Sequence, residues 1–332
     1  MINTPIVRFA IVGAGHMGRL YAEKIARMSD EGLELTAVAD RNRSRARDLA
    51  LPYGAIGCCD PERAFEEADA VVVATPATSH CDVALAAMRA GLDTLVEKPI
   101  ASSMVAAQAM VSAAEELGRC LYVGHQEWWN PAVQAAVDLV DAPTYFAGRR
   151  FCGFSGRNTD VDVVVDLMIH DVHIVQSVLR EEPCSIEAIG ARLLSDSTDE
   201  ACARLVFPAG QIAMLSASRI CPTPERRLWM HEHGATLCVD TLASTVTWGP
   251  APFGSAPDKE SMPSRQQPQI IEQDDLVSQL RRFLKLRKTR ETSPASISAL
   301  CALRTCLRIS NALARKTNFN GDDIDRTPIQ CD

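Results

Sequence analysis

The chain has 332 residues, of which 47% are hydrophobic and 23% charged, and its formal net charge at pH 7 is −8. That length allows two domains, each with its own core, and the composition is ordinary for a globular protein. The acidic balance argues against nucleic acid as a partner, because neutralising phosphates needs clustered Lys and Arg. The most basic run, "RRFLKLRKTR" (281–290), is typical of a solvated helix face.

Neither a membrane span nor a signal peptide is expected. No run of about 18 uncharged apolar residues occurs, and the N-terminus lacks a basic region followed by a long apolar core and a cleavage site. The twelve cysteines are scattered and form no C-x-x-C pair, which favours a reducing cytoplasm over a disulfide scaffold. No ligand spacing indicates a metal site. We therefore expect a cytoplasmic protein without a bound metal.

The N-terminal segment "VRFAIVGAGHMGRLYAEKIARM" predicts a strand, a glycine-rich turn and a helix. The turn has the pattern G-x-G-x-x-G, at Gly13, Gly15 and Gly18. Gly13 permits the tight turn, Gly15 lets the backbone approach a pyrophosphate, and Gly18 lets the helix pack closely on the strand. The free N–H groups of the helix N-terminus, at His16 and Met17, complete a predicted dinucleotide site.

The next strand, "LELTAVAD", ends at Asp40, 22 residues beyond Gly18. An acidic residue at that place accepts hydrogen bonds from the adenosine ribose hydroxyls. A carboxylate repels a 2′-phosphate, so Asp40 favours NAD over NADP. Arginines follow at positions 41, 43, 45 and 47, and two interpretations stay open: they offset this repulsion, or they form a solvated helix face.

Three further apolar strands end in polar loops: "ADAVVVATPATSH" (68–80), "GLDTLVEKP" (91–99) and "GRCLYVGHQEWWNPAV" (118–133). Strands that alternate with helices predict an α/β Rossmann domain with a doubly wound parallel sheet, here residues 1–123. Ligands of such sheets bind at the carboxyl ends of the strands, where Pro76, Lys98 and His125 fall.

In its motifs and their order the sequence resembles the Gfo/Idh/MocA family of sugar and inositol dehydrogenases. The resemblance rests on the glycine motif (13–18), "ATPATSH" (74–80), "EKP" (97–99), "GHQEWWNPAV" (124–133) and "DLMIHD" (166–171). It implies that Lys98, Asp166 and His170 are catalytic and that the Lys98–Pro99 bond is cis. Beyond residue 184 the chain matches the family only in general character.

The chemistry of the segment "DVDVVVDLMIHDVHIV" (160–175) agrees with this resemblance. Asp166 and His170 are four residues apart and share one face of a helix. Oxidation of an alcohol needs a base for the hydroxyl proton, which suits His170, and a cation for the developing alkoxide, which suits Lys98. Asp166 either orients the imidazole or holds a neighbouring hydroxyl. A histidine on an apolar helix is ordinarily structural, and for His173 we keep that interpretation.

The predicted cofactor contacts are Gly13, Gly15, His16, Met17, Gly18, Asp40, Arg41, Thr75, Pro76, His80, Glu97 and Lys98, and the predicted substrate contacts are His125, Trp128, Asn130, Arg157 and Asp171. Within the family, "DLMIHD" and "GHQEWWNP" resemble UDP-N-acetylglucosamine 3-dehydrogenases, although Trp128 replaces an arginine of their pattern. Trp128 and Trp129 either stack on a sugar or uracil ring or belong to the core. Arg149, Arg150 and Arg157, predicted in a loop, form either a diphosphate clamp or a solvated loop.

The second domain, residues 124–332, is predicted to be α+β, with an open, mostly antiparallel sheet that binds the substrate. Its strands lie in 184–194, 201–218, 226–234 and 235–248, and 249–268 is a Pro/Gly/Ser loop. A helix over 297–316 is expected to pack back on the first domain. An apolar outer sheet face favours a homo-oligomer, a dimer or a tetramer.

The sequence therefore predicts NAD-dependent oxidation of a secondary hydroxyl of a sugar, with a UDP-linked amino sugar as the substrate. Three alternatives stay open: an inositol or free-sugar dehydrogenase, a glycosidase that oxidises and regenerates bound NAD within one turnover, and a non-catalytic NAD(H) sensor. A sensor has no need of Lys98, Asp166 and His170 together.

Overall fold

The computed structural model describes residues 6–156, 161–250, 274–289 and 294–316. A first sheet contains β1 (Val7–Val12), β2 (Leu33–Ala39), β3 (Ile56–Cys58), β4 (Ala70–Val73), β5 (Asp93–Glu97) and β6 (Leu121–Gly124). The helices that connect these strands are α1 (His16–Arg27), α2 (Arg43–Ala50), α3 (Pro61–Phe65), α4 (His80–Arg89) and α5 (Met104–Glu116).

The first sheet has the strand order β3-β2-β1-β4-β5-β6, and its neighbouring strands pair in parallel. All four residues of β4 and of β6 are buried, as expected where helices cover both faces of a sheet. The doubly wound parallel sheet is thus confirmed. Its topology brings the glycine turn after β1, Thr75 after β4, Lys98 after β5 and His125 after β6 to one edge.

The second sheet contains β7 (Tyr145–Phe151), β8 (Ser185–Ala191), β9 (Glu200–Val206), β10 (Ile212–Ser218), β11 (Glu225–Glu232), β12 (Ala235–Asp240) and β13 (Thr245–Pro250). Its order is β13-β12-β11-β7-β10-β9-β8, with β7 and β10 parallel and the other neighbouring pairs antiparallel. Two helices, α6 (Pro131–Leu139) and α7 (Ile169–Leu179), cover its inner face. The predicted open, mostly antiparallel sheet is confirmed. Most of the predicted loop 249–268 lies outside the described residues, as does Arg157.

The loop predicted around Arg149 and Arg150 is wrong, because both residues belong to β7. The strand alternates in burial, with Phe146, Gly148 and Arg150 on the inner face and Arg149 outside. Two adjacent arginines conceal this period of two in the sequence, since one of them occupies a buried position where an apolar residue is expected.

Two helices near the C-terminus join the domains: α8 (Asp275–Thr289) and α9 (Pro294–Lys316). In α9, Leu303 packs in the first domain's core and Ile309 in the second domain's core. By length and composition alone the segment Ser296–Ala314 is long and apolar enough to cross a membrane. Its residues Leu303, Ile309 and Leu313 are instead buried in the cores of the two domains, which is the position of a core helix.

Helix α8 also packs on the first domain, although a boundary at residue 124 assigns it to the second. The Phe283 ring is fully buried, 6.1 Å from the centroid of Phe9 and 6.3 Å from that of Tyr122. A helix near the C-terminus therefore completes the core on one side of the parallel sheet.

We expect Phe283→Ala to lower the free energy of unfolding by about 3–5 kcal/mol, because it leaves a cavity between α8 and the sheet. Urea titration of the purified protein measures this loss. Phe154→Ala is the matched control, since its side chain is 43% exposed, and it should change stability little. A loss below about 1 kcal/mol for Phe283→Ala would contradict the docked position of α8.

Candidate active site

The glycine turn leaves an open backbone cradle at the start of α1. Gly13 has a φ of +107°, and a Cβ there would lie 2.4 Å from the Ala74 oxygen; a Cβ on Gly18 would lie 1.9 Å from the Gly13 oxygen. A Cβ on Gly15 would meet nothing within 4 Å, and Gly15 caps α1 without a side-chain hydrogen bond. The turn is thus closely packed against the sheet at Gly13 and Gly18, and it is open at Gly15, next to the free N–H groups that begin α1. This arrangement fits the pyrophosphate of a dinucleotide.

The Asp40 carboxylate lies beside this cradle at the end of β2. Its Oδ2 accepts a hydrogen bond from the Ala14 amide at 2.8 Å, and its Oδ1 accepts one from the Asn42 amide at 2.8 Å. These bonds hold a half-buried negative charge next to the turn. The arginines on α2 at positions 43, 45 and 47 are exposed, as expected for a solvated helix face.

The remaining predicted cofactor contacts are distributed along the same edge of the sheet. His16, Arg41 and Pro76 are exposed there, and Met17 is half-buried against the first domain's core. The Thr75 hydroxyl is buried and has no hydrogen-bond partner among the described residues. A ligand atom at this edge would satisfy that hydroxyl.

His80 connects two loops of this edge. Its Nδ1 lies 2.9 Å from the Pro99 carbonyl oxygen and its Nε2 lies 2.8 Å from the Thr75 carbonyl oxygen. The imidazole is buried, and this burial lowers its pKa. His80 thus connects the loop after β4 with the loop after β5. Its buried side chain supports the backbone of the predicted cofactor site.

Lys98 and Asp166 meet where the two domains face each other. The Lys98 Nζ donates to the backbone carbonyl of Asp166 and lies 3.2 Å from the Asp166 Oδ1. Both side chains are largely buried, 17% and 14% exposed. Asp166 lies in a π-helical turn, Val164–Met168, which leads directly into α7, and such turns are frequent at functional sites. The Lys98–Pro99 bond is cis, as the resemblance implies.

His170, one turn further along, is a buried and neutral imidazole. Burial, followed by the positive charges of Lys98 and Arg150, holds its pKa well below the usual value. Its Nδ1 is buried and has no hydrogen-bond partner among the described residues. A neutral imidazole beside an ammonium group can accept a proton from a hydroxyl bound between them.

Two further histidines form the wall next to His170. The rings of His125 and His173 stack with centroids 4.0 Å apart and planes 1° apart, and the Trp128 ring meets His173 edge-on at 5.9 Å. Burial lowers the pKa of His173 to about 4 and that of His125 well below its usual value. The His173 Nε2 contacts the Ser298 hydroxyl at 3.2 Å. Together these rings make a neutral, aromatic lining.

Asp171, a predicted substrate contact, is buried in an ion pair. Its Oδ1 accepts from the Arg150 Nη2 at 2.7 Å, and the Arg150 Nη1 lies 3.1 Å from the Glu127 Oε1. Glu127 also accepts from the Arg226 Nη1 at 2.9 Å. Because Arg150 is buried between two carboxylates, the hypothesis that it clamps a diphosphate is wrong. The same hypothesis for Arg149 is wrong as well, because Arg149 lies on the opposite face of the sheet, 3.7 Å from Glu225.

Trp128 and Asn130 also have structural contacts. The Asn130 Oδ1 caps α6 by accepting from the Ala132 amide at 3.0 Å, and its Nδ2 donates to the Thr241 carbonyl at 3.2 Å. Trp128 packs against the second domain's core. The structure therefore gathers Lys98, Asp166, His170 and His125 at one place. Asn130 is buried away from them, and Trp128 is half-buried at the edge of the histidine pair.

Glu97, predicted to contact the cofactor, belongs to a buried network that sequence motifs do not reveal. Tyr21 donates its hydroxyl proton to the Glu97 Oε1, and Gln279 donates its amide to the Tyr21 oxygen. The three side chains come from β5, α1 and α8 and converge at Gly124, where a Cβ would lie 2.8 Å from the Glu97 Oε1. They connect the cofactor helix, the strand that carries Lys98 and helix α8.

Comparison with known proteins gives two family matches. A model of the Gfo/Idh/MocA oxidoreductases, with an NAD-binding Rossmann fold, matches residues 7–125. A model of the Gfo/Idh/MocA C-terminal domain matches residues 154–237.

Individual relatives agree with these matches. A UDP-N-acetylglucosamine 3-dehydrogenase of Acidithiobacillus ferrooxidans is 33% identical over 72% of this chain and 76% of its own. A scyllo-inositol 2-dehydrogenase of Bacillus subtilis is 28% identical over 65% and 68%. A solved structure of the Acidithiobacillus ferrooxidans UDP-N-acetylglucosamine 3-dehydrogenase superposes with a TM-score of 0.84 at 28% identity and covers 93% of this chain and 98% of that one.

The burial of Glu97 predicts a pH dependence of stability. Burial raises the pKa of Glu97 from 4.5 to about 7, against the opposing effects of the Tyr21 hydrogen bond and Lys98. Between pH 4.5 and 7 the unfolded chain loses this proton while the folded protein keeps it. The free energy of unfolding therefore falls by about 3 kcal/mol as pH rises through that interval.

Glu97→Gln should remove this contribution, so the wild-type protein should lose stability relative to the variant between pH 5 and pH 8. Urea titrations at both pH values measure the difference, with Glu67→Gln as the control because that side chain is 65% exposed. A difference between wild type and Glu97→Gln that is the same at both pH values would contradict the raised pKa.

Proposed function

The chain belongs to the Gfo/Idh/MocA family of NAD-binding oxidoreductases that act on CH–OH groups, and we propose that it oxidises a secondary hydroxyl on the sugar of a UDP-linked amino sugar. The observation that carries this proposal is the contact of Lys98 with Asp166, one turn before His170, at the edge of the parallel sheet where dinucleotides bind. The relative that supports the substrate class is the UDP-N-acetylglucosamine 3-dehydrogenase.

The glycine turn and Asp40 would hold NAD, which when bound would supply the hydride acceptor. The protein's own groups then have separate tasks. His170, held neutral by burial, takes the proton of the reacting hydroxyl. Lys98, whose Nζ lies 3.2 Å from the Asp166 Oδ1, stabilises the negative charge that develops on the oxygen. Asp166 orients the Lys98 side chain through its backbone carbonyl and its carboxylate. It is therefore a positioning residue, unless a substrate hydroxyl also contacts it.

Asp40 favours NAD over NADP. Its two carboxylate oxygens already accept hydrogen bonds from the Ala14 and Asn42 amides, so the charge cannot swing away from the ribose position. A 2′-phosphate placed there meets a fixed negative charge. Arg41 follows it in the sequence and is exposed.

The outer face of the second sheet supports assembly into a homo-oligomer, a dimer or a tetramer. The register places Met214, Ala147, Trp229 and Cys238 in one row across four strands. These residues alternate with core residues, and no helix of the described chain covers them; each is half-buried. An apolar row of this kind is suited to burial against a second copy.

We expect the purified protein with NAD and UDP-N-acetylglucosamine to produce NADH, followed by its absorbance, and kcat/KM with NADP to be at least about tenfold lower because of the Asp40 charge. UDP-glucose, free N-acetylglucosamine and inositols are the comparison substrates. Turnover of free polyols alone would contradict the nucleotide-sugar proposal and keep the dehydrogenase. Absence of NADH throughout, with NAD bound, would favour the redox-cycling glycosidase or the sensor.

A further inference from the structure

Arg226 is a partly exposed cation on the inner face of the second sheet. It lies near the start of β11, and the register pairs it with Arg150 of β7. Residues directly opposite each other in an antiparallel pair point to the same face, so Arg226 points where Arg150 does, toward α7. Its side chain is 38% exposed, whereas that of Arg150 is 3% exposed.

One edge of the guanidinium is held in place and the rest is open. The Arg226 Nη1 contacts the Glu127 Oε1 at 2.9 Å, and the same oxygen receives Arg150 at 3.1 Å. Arginine carries five N–H donors, and within the described chain Arg226 makes no other side-chain hydrogen bond. Glu127 therefore orients the group without using its remaining donors.

Arg226 lies at the edge of the sheet where β7 and β10 end and β11 begins. β7 ends at Phe151, β10 ends at Ser218 and β11 begins at Glu225, all at one edge of the sheet. The positive charge of Arg226 is among those that lower the pKa of His170. Arg226 shares the Glu127 carboxylate with Arg150, and Arg150 pairs with Asp171, the residue after His170. Arg226 therefore lies beside the segment that carries His170.

The neighbouring arginine has the opposite placement. Arg227 points to the outer face, is exposed, and pairs with Asp240 at 3.0 Å. Arg149, also on the outer face, lies near Glu225. Among the arginines of β7 and β11, only Arg226 thus combines the inner face, partial exposure and unused donors.

We propose that Arg226 binds the diphosphate of the sugar-nucleotide substrate. The inference rests on the proposed function and assigns to Arg226 the contact that the sequence suggested for Arg149 and Arg150. A planar guanidinium matches two phosphate oxygens at once, and one that Glu127 already orients loses little freedom on binding. A free polyol offers no group for these donors, so Arg226 discriminates between the two substrate classes.

The test is the kinetics of Arg226→Gln with UDP-N-acetylglucosamine and NAD. We expect KM for the sugar nucleotide to rise about 10- to 100-fold, with kcat changed by less than about threefold, because the diphosphate lies away from the reacting carbon and is bound alike in ground and transition states. The Kd for NAD should not change. Arg226→Lys keeps the charge and should raise KM less. Arg227→Gln is the matched control on the other face.

A second measurement uses the wild-type enzyme. UDP should inhibit competitively against UDP-N-acetylglucosamine and far more strongly than uridine, and Arg226→Gln should abolish most of this advantage. An unchanged KM in Arg226→Gln, a fall of kcat alone, or equal inhibition by UDP and uridine would each overturn the role of Arg226 while the proposed function stands. Wild-type enzyme that oxidises only free polyols would overturn the proposed function itself, and this inference with it.

Discussion

The contact between Lys98 and Asp166 is the interaction on which the site depends. It joins the carboxyl edge of the parallel sheet to the turn that opens α7, so the functional groups of the two domains lie next to each other. Helix α9, buried in both cores, keeps the domains in the relative position that this contact needs. The ammonium of Lys98 has a carboxylate and a carbonyl as partners in a partly desolvated place, where an unpaired charge is costly.

The ionisable side chains around that contact are either neutral or paired with an opposite charge. His125, His170 and His173 are buried, and burial lowers the pKa of each, so all three are neutral. Arg150 is enclosed by Asp171 and Glu127, so its charge is paired at the start of α7. In such low-dielectric surroundings, the positive charge of Lys98 acts strongly on any oxygen bound beside His170.

Local patterns were enough to predict part of this arrangement. The glycine turn, Asp40, the two sheets and the α9 helix follow from periodicity and short motifs, and the family motifs predicted that Lys98, Asp166 and His170 belong to one site. The buried polar partners could not be predicted, because they are far apart in sequence: Tyr21, Glu97 and Gln279 come from three elements, and Arg150 meets Asp171 across 21 residues. A buried arginine also hid β7, since its charge interrupts the apolar alternation.

The most direct test of the shared site is a double-mutant cycle on kcat/KM with Lys98→Ala, His170→Ala and the double variant, using His233→Ala, on an exposed side chain, as the control. If both groups act on one hydroxyl, each single variant should lose most of the activity. The kcat/KM of the double variant should then be at most about tenfold below that of the less active single variant. Losses that multiply in the double variant, or a His170→Ala enzyme with unchanged turnover, would contradict a common catalytic site.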